Sequence, residues 1–316
     1  MAVVIGTDEA GYGPNLGPLL IAATAWRVPD PELDLFERLA AAVSDTPKSA
    51  AAVTIADSKE LYKPQGGLAR LEQGLLPALR MLGELPRCWD DIWSSLAPRS
   101  ANHLNALPWH SQYMAAIPRS ADADDIEHRA SAFRETLRDA DVQLLGIACR
   151  AVFPQEFNDL VDACGSKGEL LSDATLQLVA EQLELAGDEP VLVQCDKHGG
   201  RNRYSPLLQR QFPEYLVEIV AEGRGQSIYR WGPASRRVEI RFTAKGERFL
   251  PAALASMACK YLRELAMEAF NDYWRQRISG LKPTAGYPVD AKRFRADIAA
   301  TQQELKIDDR LLWRCR

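Results

Sequence analysis

The sequence predicts an α/β fold with a mixed central sheet flanked by helices. The chain opens with a β-branched, apolar run at 2–7, and a second apolar run at 16–27 follows a glycine-rich turn. Such runs are typical of paired, buried strands. Further along, apolar strand-like runs alternate with segments of helical periodicity. A hairpin followed by alternating strands and helices indicates a layered α/β core.

The remaining elements are predicted from the same patterns. Apolar or alternating runs predict strands at 142–152, 190–195, 216–221 and 236–243. Capping residues and helical periodicity predict helices at 31–44, 57–82, 172–186, 249–274 and 290–305, and one that begins at 205. A long connection that contains glycine and proline is expected between two of these strands, at 224–236.

The 316 residues are expected to form a single domain, 1–316, with an insertion at about 84–139 and a C-terminal helical segment at about 281–316. The insertion differs in composition, since it holds Trp89, Trp93 and Trp109 and three of the four histidines. We expect it to be mainly helical, partly irregular at first and helical from about residue 124. The tryptophans are expected to form a local core rather than a base-stacking surface.

The composition is that of an ordinary globular protein, with 47% hydrophobic and 26% charged residues and a net charge of −5. This charge argues against a general nucleic-acid coat protein, but a nuclease with a local basic stripe remains compatible with it. No apolar run is long enough to span a bilayer. The six cysteines are scattered without a CxxC pair. They indicate reduced thiols in a cytoplasmic protein, without a disulfide framework or zinc site.

Carboxylates stand where several predicted strands end. Asp8 and Glu9 close the first strand, Asp196 closes the run PVLVQC, and Glu247 follows the strand RFTA. Taken singly, each is explained as a loop or capping carboxylate. Brought together at one edge of a sheet, such groups repel one another unless a cation neutralises them. Oxygen ligands of this kind suit Mg²⁺.

Five motifs in this order resemble those of the ribonuclease HII family. They are a strand running into DEAGYGPNLGP (8–18), DSKEL (57–61), LVQCD (192–196), KGE before a helix rich in small residues (245–265), and GYP (286–288). Together they cover most of the chain outside the insertion.

The resemblance implies a ribonuclease H-like fold and a metal-dependent endonuclease. The substrate would be the RNA strand of RNA/DNA hybrids, or ribonucleotides embedded in duplex DNA. The implied cofactor is Mg²⁺ or Mn²⁺ in a two-metal site. The metal ligands and catalytic residues would be, by motif position, Asp8, Glu9, Asp196 and Glu247.

The resemblance also implies residues that contact the substrate. Gly11 and Gly13 would let the backbone approach the minor groove, where a 2′-hydroxyl distinguishes RNA from DNA. Lys59 would lie near the phosphates. Tyr287 would stack on a sugar beside the scissile bond.

The chain departs from the family pattern at several positions. Tyr12 stands in place of an arginine, and either stacks on substrate or packs within the protein. Glu247 stands where aspartate is usual, and Thr284–Ala285 replaces a His-Lys pair.

The loop after Asp196 offers compensating cations, with Lys197 and Arg201 as candidate substrate-binding residues alongside Tyr12. His198 is either a proton shuttle or an ordinary loop residue.

Two alternatives to this function stay open. One is a nuclease of the same fold that acts on another nucleic-acid structure, which the missing cations favour. The other is a catalytically weak nucleic-acid-binding protein whose insertion recruits a protein partner. The full set of four carboxylates argues against a pure binder, because binding alone gives no reason to keep a repulsive cluster.

Overall fold

The computed structural model of the protein describes residues 1–46, 53–63, 66–244 and 246–315, with the side chain of Glu247 excepted. Nine strands occur in this part of the chain. In chain order they are β1 Ala2–Ala10, β2 Leu19–Val28, β3 Val43–Ser44, β4 Val53–Thr54, β5 Gln143–Val152, β6 Val191–Asp196, β7 Glu218–Glu222, β8 Gln226–Trp231 and β9 Val238–Thr243.

Seven strands form one mixed sheet in the order β5-β2-β1-β6-β9-β8-β7. β1 pairs antiparallel with β2 and parallel with β6, and β6 pairs parallel with β9. The outer pairs β2–β5, β8–β9 and β7–β8 are antiparallel. The predicted α/β class with a mixed central sheet flanked by helices is therefore confirmed.

Twelve α-helices lie in the described part of the chain. They are α1 Leu35–Arg38, α2 Ser58–Leu61, α3 Ala69–Arg80, α4 Trp89–Leu96, α5 Ala101–Asn105, α6 Ala123–Asp139, α7 Pro154–Cys164, α8 Lys167–Leu183, α9 Ser205–Gln211, α10 Leu250–Arg275, α11 Pro288–Glu304 and α12 Asp309–Leu312. The predicted C-terminal helical segment corresponds to α11 and α12.

Helices cover both faces of the central strands, and the side chains of each strand alternate between these two faces. On one face, Val4 of β1 packs with residues of α3, α6 and α10 in a single core cluster. On the other, Val3 and Ile5 pack with residues of α7, α8 and α9. The long helix α10 lies so close to β1 that a Cβ at Gly6 would stand 2.2 Å from the backbone nitrogen of Ala252.

Two sequence predictions were wrong. Of the helix expected at 31–44, only α1 forms, and Asp34 caps its N-terminus. Val43 is instead part of a short strand that pairs parallel with Val53. The connection expected at 224–236 contains β8, which pairs with both β7 and β9 and extends the sheet. Tertiary pairing overrode the local pattern in both places.

The 84–139 segment is mainly helical, through α4, α5 and α6. Its three tryptophans, Trp89, Trp93 and Trp109, are buried and belong to the same cluster as α10, so they contribute to the main core and offer no exposed stacking surface. That this segment is an insertion into a single domain stays a prediction. None of the helices in the described ranges combines the length and the hydrophobicity that a membrane span requires.

The contact between α10 and β1 yields a stability prediction. Gly6→Ala should lower the free energy of unfolding by about 1–3 kcal/mol or more, because the added methyl group forces the helix away from the strand. Urea unfolding measures the change. Gly83→Ala is the matched control, since a Cβ there meets nothing within 4 Å. Equal stability of both variants would show that the helix does not lie this close.

Candidate active site

Asp8 and Asp196 are brought together by the pairing of two parallel strands. Thr7 of β1 lies opposite Cys195 of β6, so the next residue on each strand is one of the two aspartates. Parallel strands end at the same edge of a sheet. The two carboxylates predicted from separate strand ends therefore lie side by side, and they repel each other electrostatically.

The KGE motif meets Asp196 through its backbone. A short 3₁₀-helix, Gly246–Arg248, follows β9. The Gly246 N–H donates to Asp196 Oδ1 at 3.2 Å, and a Cβ at Gly246 would lie 3.0 Å from the Asp196 backbone nitrogen. The backbone of Glu247 is thus held next to Asp196. The side chain of Glu247 lies outside the described residues, so its role as a ligand stays a prediction.

The Asp8 carboxyl occupies an unfavourable electrostatic environment. Its pKa is raised well above the ordinary value, first by burial, then by the charge of Glu9, and to a lesser degree by Asp196. Hydrogen bonds from Ser256 and from the Glu9 backbone oppose this rise. The ionised form of Asp8 would therefore be stabilised by a nearby positive charge.

Two buried serines, Ser58 and Ser256, support Asp8, a role that was not predicted from the sequence. Gly6 and Asp8 lie on the same face of β1, so Asp8 faces α10, where Ser256 bonds to it. Ser256 Oγ also lies 3.0 Å from Ser58 Oγ and accepts the Ser58 N–H at 3.4 Å. A single hydroxyl in the otherwise apolar run AALASMA was the signal that could have revealed this link to the DSKEL motif.

A cleft of about 840 Å³ lies over these strand ends. Its lining includes many of the predicted site residues: Asp8, Glu9, Gly11, Tyr12, Lys59, Asp196 and Tyr287. Ser58 and Ser256 also line it, and α10 continues the lining from Lys260 to Arg275. The cleft therefore joins the carboxylates to three of the other motifs.

Glycine and tyrosine form the rim of the cleft. Gly11 adopts a φ of +87°, which favours glycine, and a Cβ there would lie 2.6 Å from the Pro18 carbonyl oxygen. Gly13 is outside the cleft lining, but a Cβ on it would stand 3.9 Å from Tyr287 Cε1. Tyr287 is 59% exposed, so the aromatic ring is accessible from solvent.

Tyr12 both lines the cleft and packs within the protein. The Lys167 ammonium lies 4.7 Å from the centre of its ring, at the start of α8. The pKa of the Tyr12 phenol is raised, mainly by burial and then by Glu9, while Arg201 lowers it. Arg201 therefore acts on Tyr12, although it does not line this cleft.

The loop after Asp196 places its basic side chains outside the cleft lining, and the substrate-binding roles of Lys197 and Arg201 stay predictions. Lys197 does not line the cleft and instead donates to Asn202 Oδ1 at 2.8 Å and to the Gly223 carbonyl. His198 is buried, its Nδ1 lies 2.9 Å from Ser172 Oγ, and burial lowers its pKa to about 3. His198 is thus a neutral core residue at physiological pH, which favours the structural alternative over the proton shuttle.

The side-chain oxygens at this site are of the chemical type that binds a hard divalent cation. Asp8, Glu9 and Asp196 offer carboxylate oxygens, the ligands that Mg²⁺ and Mn²⁺ prefer. The raised pKa of Asp8 shows that the site favours added positive charge. Among described side chains, however, no group of three or more His, Cys, Asp or Glu residues is already arranged to hold a metal ion. The two-metal site therefore stays a prediction.

Neither a protein-family model nor a curated protein matches the sequence. Solved structures do match. The PCNA:RNase HII complex from Archaeoglobus fulgidus aligns over 99% of this chain and 94% of that chain, with 14% identity and a TM-score of 0.43. Ribonuclease H2 from Pyrococcus horikoshii OT3 aligns over 98% and 92%, with 14% identity and a TM-score of 0.43. Bst-RNase HIII in complex with Mn²⁺ aligns over 99% and 66%, with 13% identity and a TM-score of 0.42.

The crowded carboxylates yield a second stability prediction. Because the pKa of Asp8 is raised in the folded state, its ionisation costs folding free energy once the pH exceeds the unfolded-state pKa. Asp8→Asn should therefore stabilise the protein at neutral pH in EDTA, by about 0.5–2 kcal/mol. The gain should shrink as the pH falls toward the pKa of an unfolded aspartate.

Urea unfolding at several pH values measures this gain. Asp188→Asn, at a solvent-exposed aspartate, is the control and should change stability by less than about 0.5 kcal/mol. A clear loss of stability in Asp8→Asn would show instead that the carboxylate is held favourably by its neighbours.

Proposed function

We propose that this protein is a Mg²⁺- or Mn²⁺-dependent endonuclease. It hydrolyses the RNA strand of RNA/DNA hybrids, or ribonucleotides embedded in duplex DNA. The observation that carries the proposal is the pair Asp8 and Asp196, side by side at parallel strand ends and open to a cleft of about 840 Å³. The five motifs that resemble ribonuclease HII support the choice of substrate.

The metal would be held by Asp8, Glu9, Asp196 and Glu247. When bound, divalent ions of this kind activate a water molecule and stabilise the leaving oxygen of a phosphodiester. The contribution of the protein is to keep the carboxylates oriented before substrate arrives. Ser256 does this for Asp8, and the Gly246 N–H does it for Asp196.

The rim of the cleft would bind the nucleic acid. The absence of a side chain at Gly11 lets a sugar–phosphate backbone come close to the loop. The exposed ring of Tyr287 offers a face for stacking on a sugar or base. The side chain of Lys59 is 84% exposed at the cleft, where its ammonium suits a phosphate.

The 84–139 segment is proposed as the surface for a protein partner. Its aromatic core is buried, so a partner would meet the outer faces of its helices and the exposed Met114. This role is independent of the chemistry in the cleft.

Cleavage of a matched set of duplexes tests the proposed function. The substrates are an RNA/DNA hybrid, a DNA duplex with one ribonucleotide and an all-DNA duplex, each with Mg²⁺ and then Mn²⁺. Wild-type protein should cut the first two only. Removing a group that only hydrogen-bonds to a metal ligand typically lowers activity roughly 10–100-fold. Asp196→Asn should lower the cleavage rate by more than this, because it removes a metal-binding oxygen.

Asp139→Asn, at an exposed aspartate on α6, is the control and should cut at the wild-type rate. Full activity of a folded Asp196→Asn variant would contradict the metal assignment. Cleavage of the all-DNA duplex would support a nuclease for another structure. Binding without cleavage of any duplex would support the binding protein.

A further inference from the structure

Two arginines are buried beneath the glycine loop, which we define as residues 11–18. Arg263 of α10 is 4% exposed and Arg314 is 0% exposed. Arg263 donates to the carbonyl oxygens of Pro18, at 2.6 Å, and of Leu16 and Ala285, at 3.2 Å each. Arg314 Nη1 donates to the Gly11 carbonyl oxygen at 2.7 Å. Two guanidinium groups thus support one short loop from below.

Arg314 reaches this position because hydrogen bonds hold its segment, 313–315, on both sides. On one side it pairs with the loop, since Arg314 N–H donates to the Asn15 carbonyl at 2.9 Å and Leu16 bridges Trp313. On the other side, the Asn158 amide of α7 bonds the Trp313 carbonyl at 2.9 Å and the Cys315 N–H at 2.8 Å. The loop and the 313–315 segment therefore form one unit.

Neither arginine forms a salt bridge with a described carboxylate, although the charge of Glu264 acts favourably on Arg263. Every side-chain hydrogen bond of the two arginines in the described part of the chain goes to a backbone carbonyl. Arg314 Nε and Nη2 are buried and have no hydrogen-bond partner among the described residues. The Phe157 ring, 4.9 Å from the Arg314 guanidinium, is an apolar neighbour.

Burial of these charges carries an energetic cost. Burial lowers the pKa of Arg263 to about 10, and burial followed by the charge of Arg263 lowers the pKa of Arg314 well below its ordinary value. Two buried like charges that repel each other destabilise the folded protein unless an anion approaches them. Arg263 reaches the lining of the cleft, whereas Arg314 lies behind Gly11, which lines the cleft together with Tyr12.

We propose that Arg314, together with Arg263, supplies from beneath the glycine loop the positive charge that attracts a backbone phosphate of the substrate strand. The loop itself contains no cation, since its sequence is GYGPNLGP. Arg314 acts through the loop and is therefore a positioning residue. This inference rests on the proposed nuclease function.

Salt-dependent binding of a fluorescein-labelled RNA/DNA hybrid in EDTA tests the proposal. Arg314→Met should weaken affinity about tenfold at low salt and reduce the slope of log K against log salt, which reports phosphate neutralisation. Arg314→Lys, which keeps the charge, should stay within about threefold of wild type. At saturating hybrid, the kcat of Arg314→Met should change far less than its KM.

Arg310→Met is the matched control. It removes the same charge only four residues away, from a side chain that pairs with Asp159 on the surface. It should bind within about twofold of wild type. If Arg314→Met matches Arg310→Met in affinity and salt slope, the inference is overturned while the proposed function stands. If wild-type protein neither binds nor cuts any duplex, both are overturned.

A second variant keeps the inference testable if Arg314→Met does not fold. Tyr12→Arg adds a guanidinium to the loop itself. Because the charge is already supplied from below, this variant should gain less than about threefold in affinity for the hybrid. A gain of more than about tenfold would show that the loop lacks positive charge, and would overturn the inference.

Discussion

The close contact between α10 and β1 is the constraint on which the candidate site depends. Gly6 allows the first turn of α10 to lie against the strand, and no larger residue fits there. That approach aims Ser256 at Asp8 two residues further along the same face. The parallel pairing of β1 with β6 then sets Asp196 beside Asp8. Backbone packing, more than side-chain attraction, brings the carboxylates together.

Much of this arrangement could be predicted from the sequence, because strand ends and their carboxylates are local features. Asp8 and Asp196 were predicted from apolar runs that end on acids, and the structure brings them together. Ser256, Arg263 and Arg314 could not be identified in the same way. Their partners lie about 200–300 positions away in the chain, so only tertiary packing reveals them. The strand β8 was missed because its pairing with β9 is likewise a tertiary feature.

In the described part of the chain, Asp8, Arg263 and Arg314 are charged groups that form no salt bridge, although Glu264 acts favourably on Arg263. Asp8 lies among carboxylates at the strand ends, and Arg263 and Arg314 lie among carbonyls beneath the loop. Both arrangements cost stability in the isolated protein. Metal ions at the carboxylates and phosphate at the loop would lower both costs. Such a trade of stability for binding is typical of functional sites.

A crystal structure of the protein soaked in Mn²⁺, with anomalous difference maps, tests the central claim most directly. The account predicts anomalous density between the carboxylates of Asp8 and Asp196, with oxygen ligands at the distances usual for a hard divalent cation. The account would be contradicted if both carboxylates were ordered at millimolar Mn²⁺ and no anomalous density lay between them.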